Sequence, residues 1–140
     1  MNSEFLESRL MYERTTRGIR VSIEPTYLEG QSEPDDDHFV WAYRVRIDNR
    51  SEATICVRTR RWRITDARGG TEEVAGEGVV GEQPVIKPGE IFEYTSGAPL
   101  STPSGLMMGQ CGIEGPNGEL FDVDIPAFSL DSPYETSRVH

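Results

Sequence analysis

Gly76-Glu77-Gly78-Val79-Val80-Gly81-Glu82-Gln83-Pro84 spells the pattern G-x-G-x-x-G, and whether a helix can follow it decides the fold. A dinucleotide-binding turn delivers its glycines from a strand to a helix whose first amides hold the pyrophosphate. Pro84 alone would suit a first helical turn. The next residues, Val85-Ile86-Lys87-Pro88-Gly89, leave no length for a helix, and Glu82 puts negative charge where phosphate would sit. No P-loop Lys follows either. The segment therefore reads as a long loop between strands. Gly76, Gly78 and Gly81 permit unusual φ and close backbone approach there, with Val79 and Val80 tucked against the edge of a core.

On both sides of the loop the hydrophobic period is two. Ile19, Val21 and Ile23 share one face of a first strand that Pro25 closes or kinks. Phe39, Trp41, Tyr43, Val45 and Ile47 line one face of the clearest strand, with Arg44, Arg46 and Asp48 on the other. Ile55 and Val57 keep odd phase, whereas Trp62 and Ile64 fall on even positions, so a β-bulge is expected near Thr59 to Arg61. Asp66 to Gly70 is a hairpin turn, Val85-Ile86 a short strand, Lys87 to Glu90 a turn, and Ile91 to Thr95 the strand after it. Pro99 to Gly105 reads as irregular. Met107–Ile113 and Leu120–Phe128 form a closing hairpin across Gly115-Pro116-Asn117-Gly118. Seven to eight antiparallel strands, with turn signals about every ten residues, predict an all-β sandwich of immunoglobulin or fibronectin III type.

Composition agrees with that architecture. The 140 residues suit one core, and 14 Gly with 9 Pro favour turns over helices. Residues 1–17 lack periodicity and read as a flexible tail in which Phe5, Leu6 and Leu10 give a faint helical spacing; 18–133 is the sandwich, and 134–140 a second tail. A net charge of -10 opposes a nucleic-acid surface. No run approaches the ~18 apolar residues of a membrane span, so no membrane insertion is expected. The first residues carry no basic flank with an apolar stretch behind it, which points to a cytoplasmic chain. Cys56 and Cys111 lie far apart, fit neither zinc nor redox spacing, and are expected to be reduced thiols.

Several blocks together resemble the ApaG family: Arg60-Arg61-Trp62-Arg63-Ile64-Thr65-Asp66, the run from Gly76 to Pro84, Pro88-Gly89-Glu90, Tyr94-Thr95-Ser96-Gly97, and Ile125-Pro126-Ala127-Phe128-Ser129-Leu130. The resemblance extends from about Ile19 to Pro133. It implies a fibronectin III-like sandwich, found as a stand-alone bacterial protein and as a domain in some F-box proteins and in a polymerase-delta-interacting protein, where it looks like a protein-interaction module. Names of bacterial members link the family to cobalt resistance and magnesium efflux, and these members are encoded near a diadenosine tetraphosphatase. The family offers no catalytic residues to carry over and implies no cofactor. Many bacterial members have His where this chain has Arg61, which puts a metal role for that position in doubt.

The residues themselves supply no catalytic constellation. His38 and His140 are the two histidines, so a transition-metal site lacks ligands; Asp35, Asp36 and Asp37 beside His38 lack the spacing of a calcium loop. Asp122 and Asp124 alternate outward on one strand, where they are expected to balance Arg44 and Arg46 or face water. Arg58, Arg60, Arg61 and Arg63 around Trp62 form either an Arg-rich protein contact or a core Trp among surface ion pairs. The expected function is a non-enzymatic module binding an unidentified protein, a second copy of itself included, through an edge strand or the glycine loop. Candidate contacts are Gly76, Gly78, Gly81, Glu82, Arg61 and Trp62. The alternative is a small-anion or pyrophosphate binder using the Gly76–Gly81 loop amides as a nest.

Overall fold

The computed structural model describes residues 11–134. Among them, β1 (Tyr12–Thr16), β2 (Ile19–Tyr27), β3 (Phe39–Asn49) and β7 (Ile91–Leu100) form one antiparallel sheet in that order. The facing sheet has the order β5 (Thr71–Glu77), β4 (Ile55–Asp66), β8 (Ser104–Glu114) and β9 (Leu120–Asp131), and β6 (Val85–Ile86) pairs with the start of β4. This is the expected all-β sandwich.

The described strands number nine against the seven to eight expected, and β1 and β5 are the two that no alternation marks. β1 occupies residues read as tail, and its hairpin to β2 turns on Arg17 and Gly18, with φ of 52° and 83°. Positive φ at both positions suits the right-handed twist of a two-residue hairpin, so Arg17-Gly18 was a usable signal. Glu13, Arg14 and Thr15 are exposed and give no alternation to read, although Tyr12 packs on the Phe128 ring at 6.1 Å. β5 is nearly all exposed, which hides it in the same way. The helical spacing at Phe5, Leu6 and Leu10 lies outside the described residues. So does 135–140, while Tyr134 is anchored, its hydroxyl donating to Glu29 Oε2 at 2.9 Å.

Prolines end fewer strands than expected, because each sits where a donor is dispensable. Beyond Ile23, β2 has only β3 as a neighbour, so Pro25 stays inside the strand opposite Tyr43. β7 is an edge strand, and Pro99 continues it opposite Val40 to Leu100. The irregular segment thus shrinks to the few residues before Ser104. The expected bulge is present within a residue of its place: the register shifts between Val57 and Thr59, leaving Arg58 as the extra residue.

The inward rows meet as one core. Ile19, Val21 and Ile23 join Trp41, Tyr43, Val45 and Ile47 from the first sheet, against Val57, Trp62, Met107, Ile113, Val123, Ile125 and Phe128 from the second. Burying each large side chain stabilises by about 1.5–3 kcal/mol. Asn49, the last residue of β3, is fully buried. Its amide donates to the carbonyls of Ala53 and Ile86 at 2.8 and 2.9 Å, and its oxygen accepts from the Ser51 amide and hydroxyl. One side chain thereby ties the end of β3 to β6, and truncating it would strand the buried Ile86 carbonyl.

Both cysteines are free thiols. Burial pushes the Cys111 thiol from 9.0 up to about 12, with Arg60 pulling the other way, and burial also raises the Tyr94 hydroxyl. The folded state then holds these protons more tightly than the unfolded state does. Their contribution is intact below the unfolded value and is lost as pH rises from about 9 through the folded one. Urea titrations at about pH 8 and about pH 10.5 should give a clear fall in unfolding free energy, shallower in Cys111→Ala. Equal slopes for the two proteins would show that Cys111 keeps no such proton.

Candidate binding face

The bulge and the glycine loop are built for each other. Arg58, pushed out of register in β4, turns its carbonyl to the loop, where it accepts from the Gly78 amide at 2.7 Å and from Gln83 Nε2 at 3.1 Å. Arg60 Nη1 donates to the carbonyls of Glu77 and Gly78 at 3.0 and 2.9 Å, and the Val57 amide donates to the Pro84 carbonyl at 3.0 Å. Val79 and Glu82 exchange amide-to-carbonyl bonds of 2.7 and 2.9 Å around Val80 and Gly81, whose φ values are 44° and 82°. That is a tight two-residue turn.

This geometry corrects part of the loop reading. Val79 is buried as expected, but Val80 stands at the turn tip and is half exposed. The amides of Gly78, Val79 and Glu82 already donate within the protein, and Arg60 Nη1 is engaged by carbonyls. An anion nest needs free amides pointing at one spot, and these three are taken. Gly76 lies against the Arg60 guanidinium, Gly78 under the Glu82 carbonyl, and Gly81 in open space. Of the three, Gly78 fastens the loop to the sheet, through its amide bond to Arg58.

Arg61 and Trp62 point opposite ways. Trp62 is 5% exposed, its ring 5.4 Å from Tyr43 and 6.0 Å from Phe128, so it belongs to the core. Arg61 and Arg63 project from the other side of the sheet. Arg61 donates to Gln110 and pairs with Asp122 at 3.2 Å; Arg63 pairs with Glu73 at 3.1 Å; Arg14, from β1, pairs with Asp124 at 3.0 Å. The expected partnership of Asp122 and Asp124 with Arg44 and Arg46 is therefore corrected, since those two arginines lie on the first sheet and pair with Glu93. The periodicity was right, but it cannot say which sheet a surface charge occupies.

Arg14, Arg61, Arg63, Glu73, Met108, Gln110 and Asp124 line a shallow depression of about 540 Å³ on the outer face of the second sheet. A second one, of about 550 Å³, continues along that sheet past Gly112 toward Leu120 and Phe121. Leu106, Met108 and Leu120 are exposed on this sheet, Leu120 at 75%. Exposed ion pairs contribute only about 0–1 kcal/mol each, so they can exchange partners at little cost. Met108, Leu106 and Gln110 were missed because β8 reads mainly through its inward row. Among the described residues, no three of His, Cys, Asp and Glu come together to hold a metal ion, and no helix is long and apolar enough to cross a membrane.

Fold and surface thus define a two-sheet antiparallel sandwich whose candidate site is an open, arginine-lined face. Comparison with known proteins supplies the family. The ApaG domain model matches residues 29–114. Protein ApaG of Parvibaculum lavamentivorans is 58% identical over 93% of this chain and all of its own length, and Protein ApaG of Rhodospirillum centenum is 59% identical over 91% of this chain and 98% of its own. A solved structure described as an ApaA protein from Bordetella pertussis superposes with a TM-score of 0.80 at 45% identity, covering 86% of this chain and 95% of that one. The chain belongs to the ApaG family.

Proposed function

We propose that this protein is a non-enzymatic interaction module that meets a protein partner with the outer face of its second sheet. The observation that carries the reading is the pair of shallow depressions along one sheet, with Met108 and Leu120 exposed among arginines held by surface ion pairs and, for Arg61, a bond to Gln110. Arg and Met are favoured in protein interfaces, and an open face suits a protein better than a small ligand, which an enclosing cavity would bury. Arg61 is the sequence-derived contact that this reading keeps. Trp62 backs it from the core, and Gly76, Gly78, Gly81 and Glu82 shape the neighbouring loop. The link to divalent-cation handling that the family resemblance implies would act through the partner, in the cytoplasm.

The test is affinity capture with the full chain and three variants whose melting curves match the wild type: Met108→Asp, Arg61→Glu and Glu82→Lys. Met108→Asp and Arg61→Glu should each lower recovery of the captured proteins about tenfold, as loss of an interface anchor of roughly 1.4 kcal/mol would. Glu82→Lys, on the loop, should leave recovery unchanged. Equal recovery by the wild type and both face variants would rule the face out.

A further inference from the structure

β5 has a neighbour on one side only. It pairs with β4 from Thr65↔Thr71 to Thr59↔Glu77, and no other described strand lies beyond it. Every residue of Thr-Glu-Glu-Val-Ala-Gly-Glu is exposed except Gly76, which is intermediate. A row of backbone donors and acceptors therefore faces solvent along the whole strand, a template for one more strand.

Of the other outer edges, one side is covered and β7 is interrupted near its end. β1 and β9 close the opposite side of the sandwich on each other, through the Arg14–Asp124 pair and a bond from the Asp124 amide to Thr16 Oγ1 at 3.2 Å. β7 carries Pro99, which cannot extend a ladder on its free side. β5 contains no Pro and no bulge, and its protection is charge alone, Glu72, Glu73 and Glu77, which repels acidic segments and leaves basic ones free to pair.

We infer that the free edge of β5 accepts an extended segment of a partner protein in which apolar residues alternate with Lys or Arg. The inference rests on the interaction-module reading and names the partner's chemistry. Side chains of β5 alternate across the sheet. Glu73 and Glu77 share the outer face with Arg61 and Arg63, while Val74, 37% exposed, is opposite Trp62 on the core side. An added strand would set its basic side chains beside Glu73 and Glu77 and an apolar side chain beside Val74, completing cover that the sandwich lacks there. Opposite charges directly across a ladder favour pairing and like charges oppose it. That excludes a second copy of this chain as the occupant, because pairing β5 with itself would bring Glu72, Glu73 and Glu77 of each chain onto one ribbon.

The experiment uses the full chain and three nine-residue peptides: alternating Lys and Val, the same peptide N-methylated at alternate residues so that one edge cannot donate, and alternating Glu and Val. Amide exchange and chemical shifts in β5 are read by NMR. The Lys/Val peptide should slow exchange of the solvent-facing β5 amides about tenfold or more, and the other two should not. Glu73→Lys/Glu77→Lys should abolish that protection, whereas Arg61→Glu on the outer face should retain it. Unchanged β5 amides overturn the inference whatever the face variants do in affinity capture. Equal binding by the N-methylated peptide also overturns it, since the contact would then be charge without a ladder. A concentration-dependent dimer protected at β5 without peptide overturns the exclusion of a second copy.

Discussion

Trp62→Ala should lower the unfolding free energy by about 3–5 kcal/mol, the range for deleting a large aromatic from a core. Trp62 is flanked by arginines at 60, 61 and 63, the setting in which an aromatic would serve a surface contact. Its ring instead meets Tyr43 edge-on at 68° and Phe128 at 86°, in a cluster that joins β3, β4 and β9. β8 makes room for it: a Cβ on Gly109 would lie 3.1 Å from the ring and would collide with the Arg61 carbonyl. Truncation removes the ring and leaves a cavity that a backbone held in a sheet cannot close. Small domains have about 5–15 kcal/mol in total, so this loss is a large fraction of the whole and easily measured. Arg61→Ala, one residue away on the opposite face, should shift stability by no more than about 0.5 kcal/mol. Urea unfolding of the two variants side by side decides between core and contact. A Trp62→Ala cost near that of Arg61→Ala would return Trp62 to the surface.

That contrast also shows why some features could be read from the chain and others could not. β3 announces itself because Phe39 to Ile47 alternate against charged residues, and the bulge because Val57 and Trp62 fall out of phase. Both are core signals, and burial writes them into composition. β1 and β5 bury little, so no alternation marks them, and only the Arg17-Gly18 turn hints at the first. The surface is less legible still. Arg60 and Arg61 are adjacent, yet one fastens the glycine loop through carbonyls while the other opens onto a face completed by β8 and β9. Periodicity tells which side of its own strand a residue occupies. It does not tell which strand lies alongside, and the partners of Asp122 and Asp124 depended on that. The Gly76–Pro84 run was read as a loop, which holds from Gly78 onward, whereas Gly76 and Glu77 are the last paired residues of β5; the loop's amide partners lie in β4 and within its own turn, beyond any spacing rule.

Gly78→Ala should destabilise the protein by about 2–4 kcal/mol, well above the same change at Gly81. Both glycines have positive φ, 64° and 82°, so either alanine carries the left-handed penalty of about 1–2 kcal/mol. Space separates them. Nothing lies within 4 Å of a Cβ on Gly81, whereas a Cβ on Gly78 would run into the Glu82 carbonyl, with the carbonyl carbon at 2.8 Å. Backbone cannot swing aside as a flexible side chain can. Relieving the clash means opening the turn, and with it the paired bonds of Val79 and Glu82 and the Gly78 bond to Arg58. Buried Val79 would be drawn off the core edge as well. Chemical unfolding of the two alanine variants checks the difference, and amide exchange at Gly78 reports whether the loop has left the bulge. Equal costs would mean that the turn yields freely and that the clash is absent in solution. A large difference has a consequence for function: substitution at Gly78 disturbs the fold first, so any change in binding that it causes cannot be assigned to a contact. Glu82→Lys, at an exposed side chain of the same turn, tests the loop's part in recognition without that confusion.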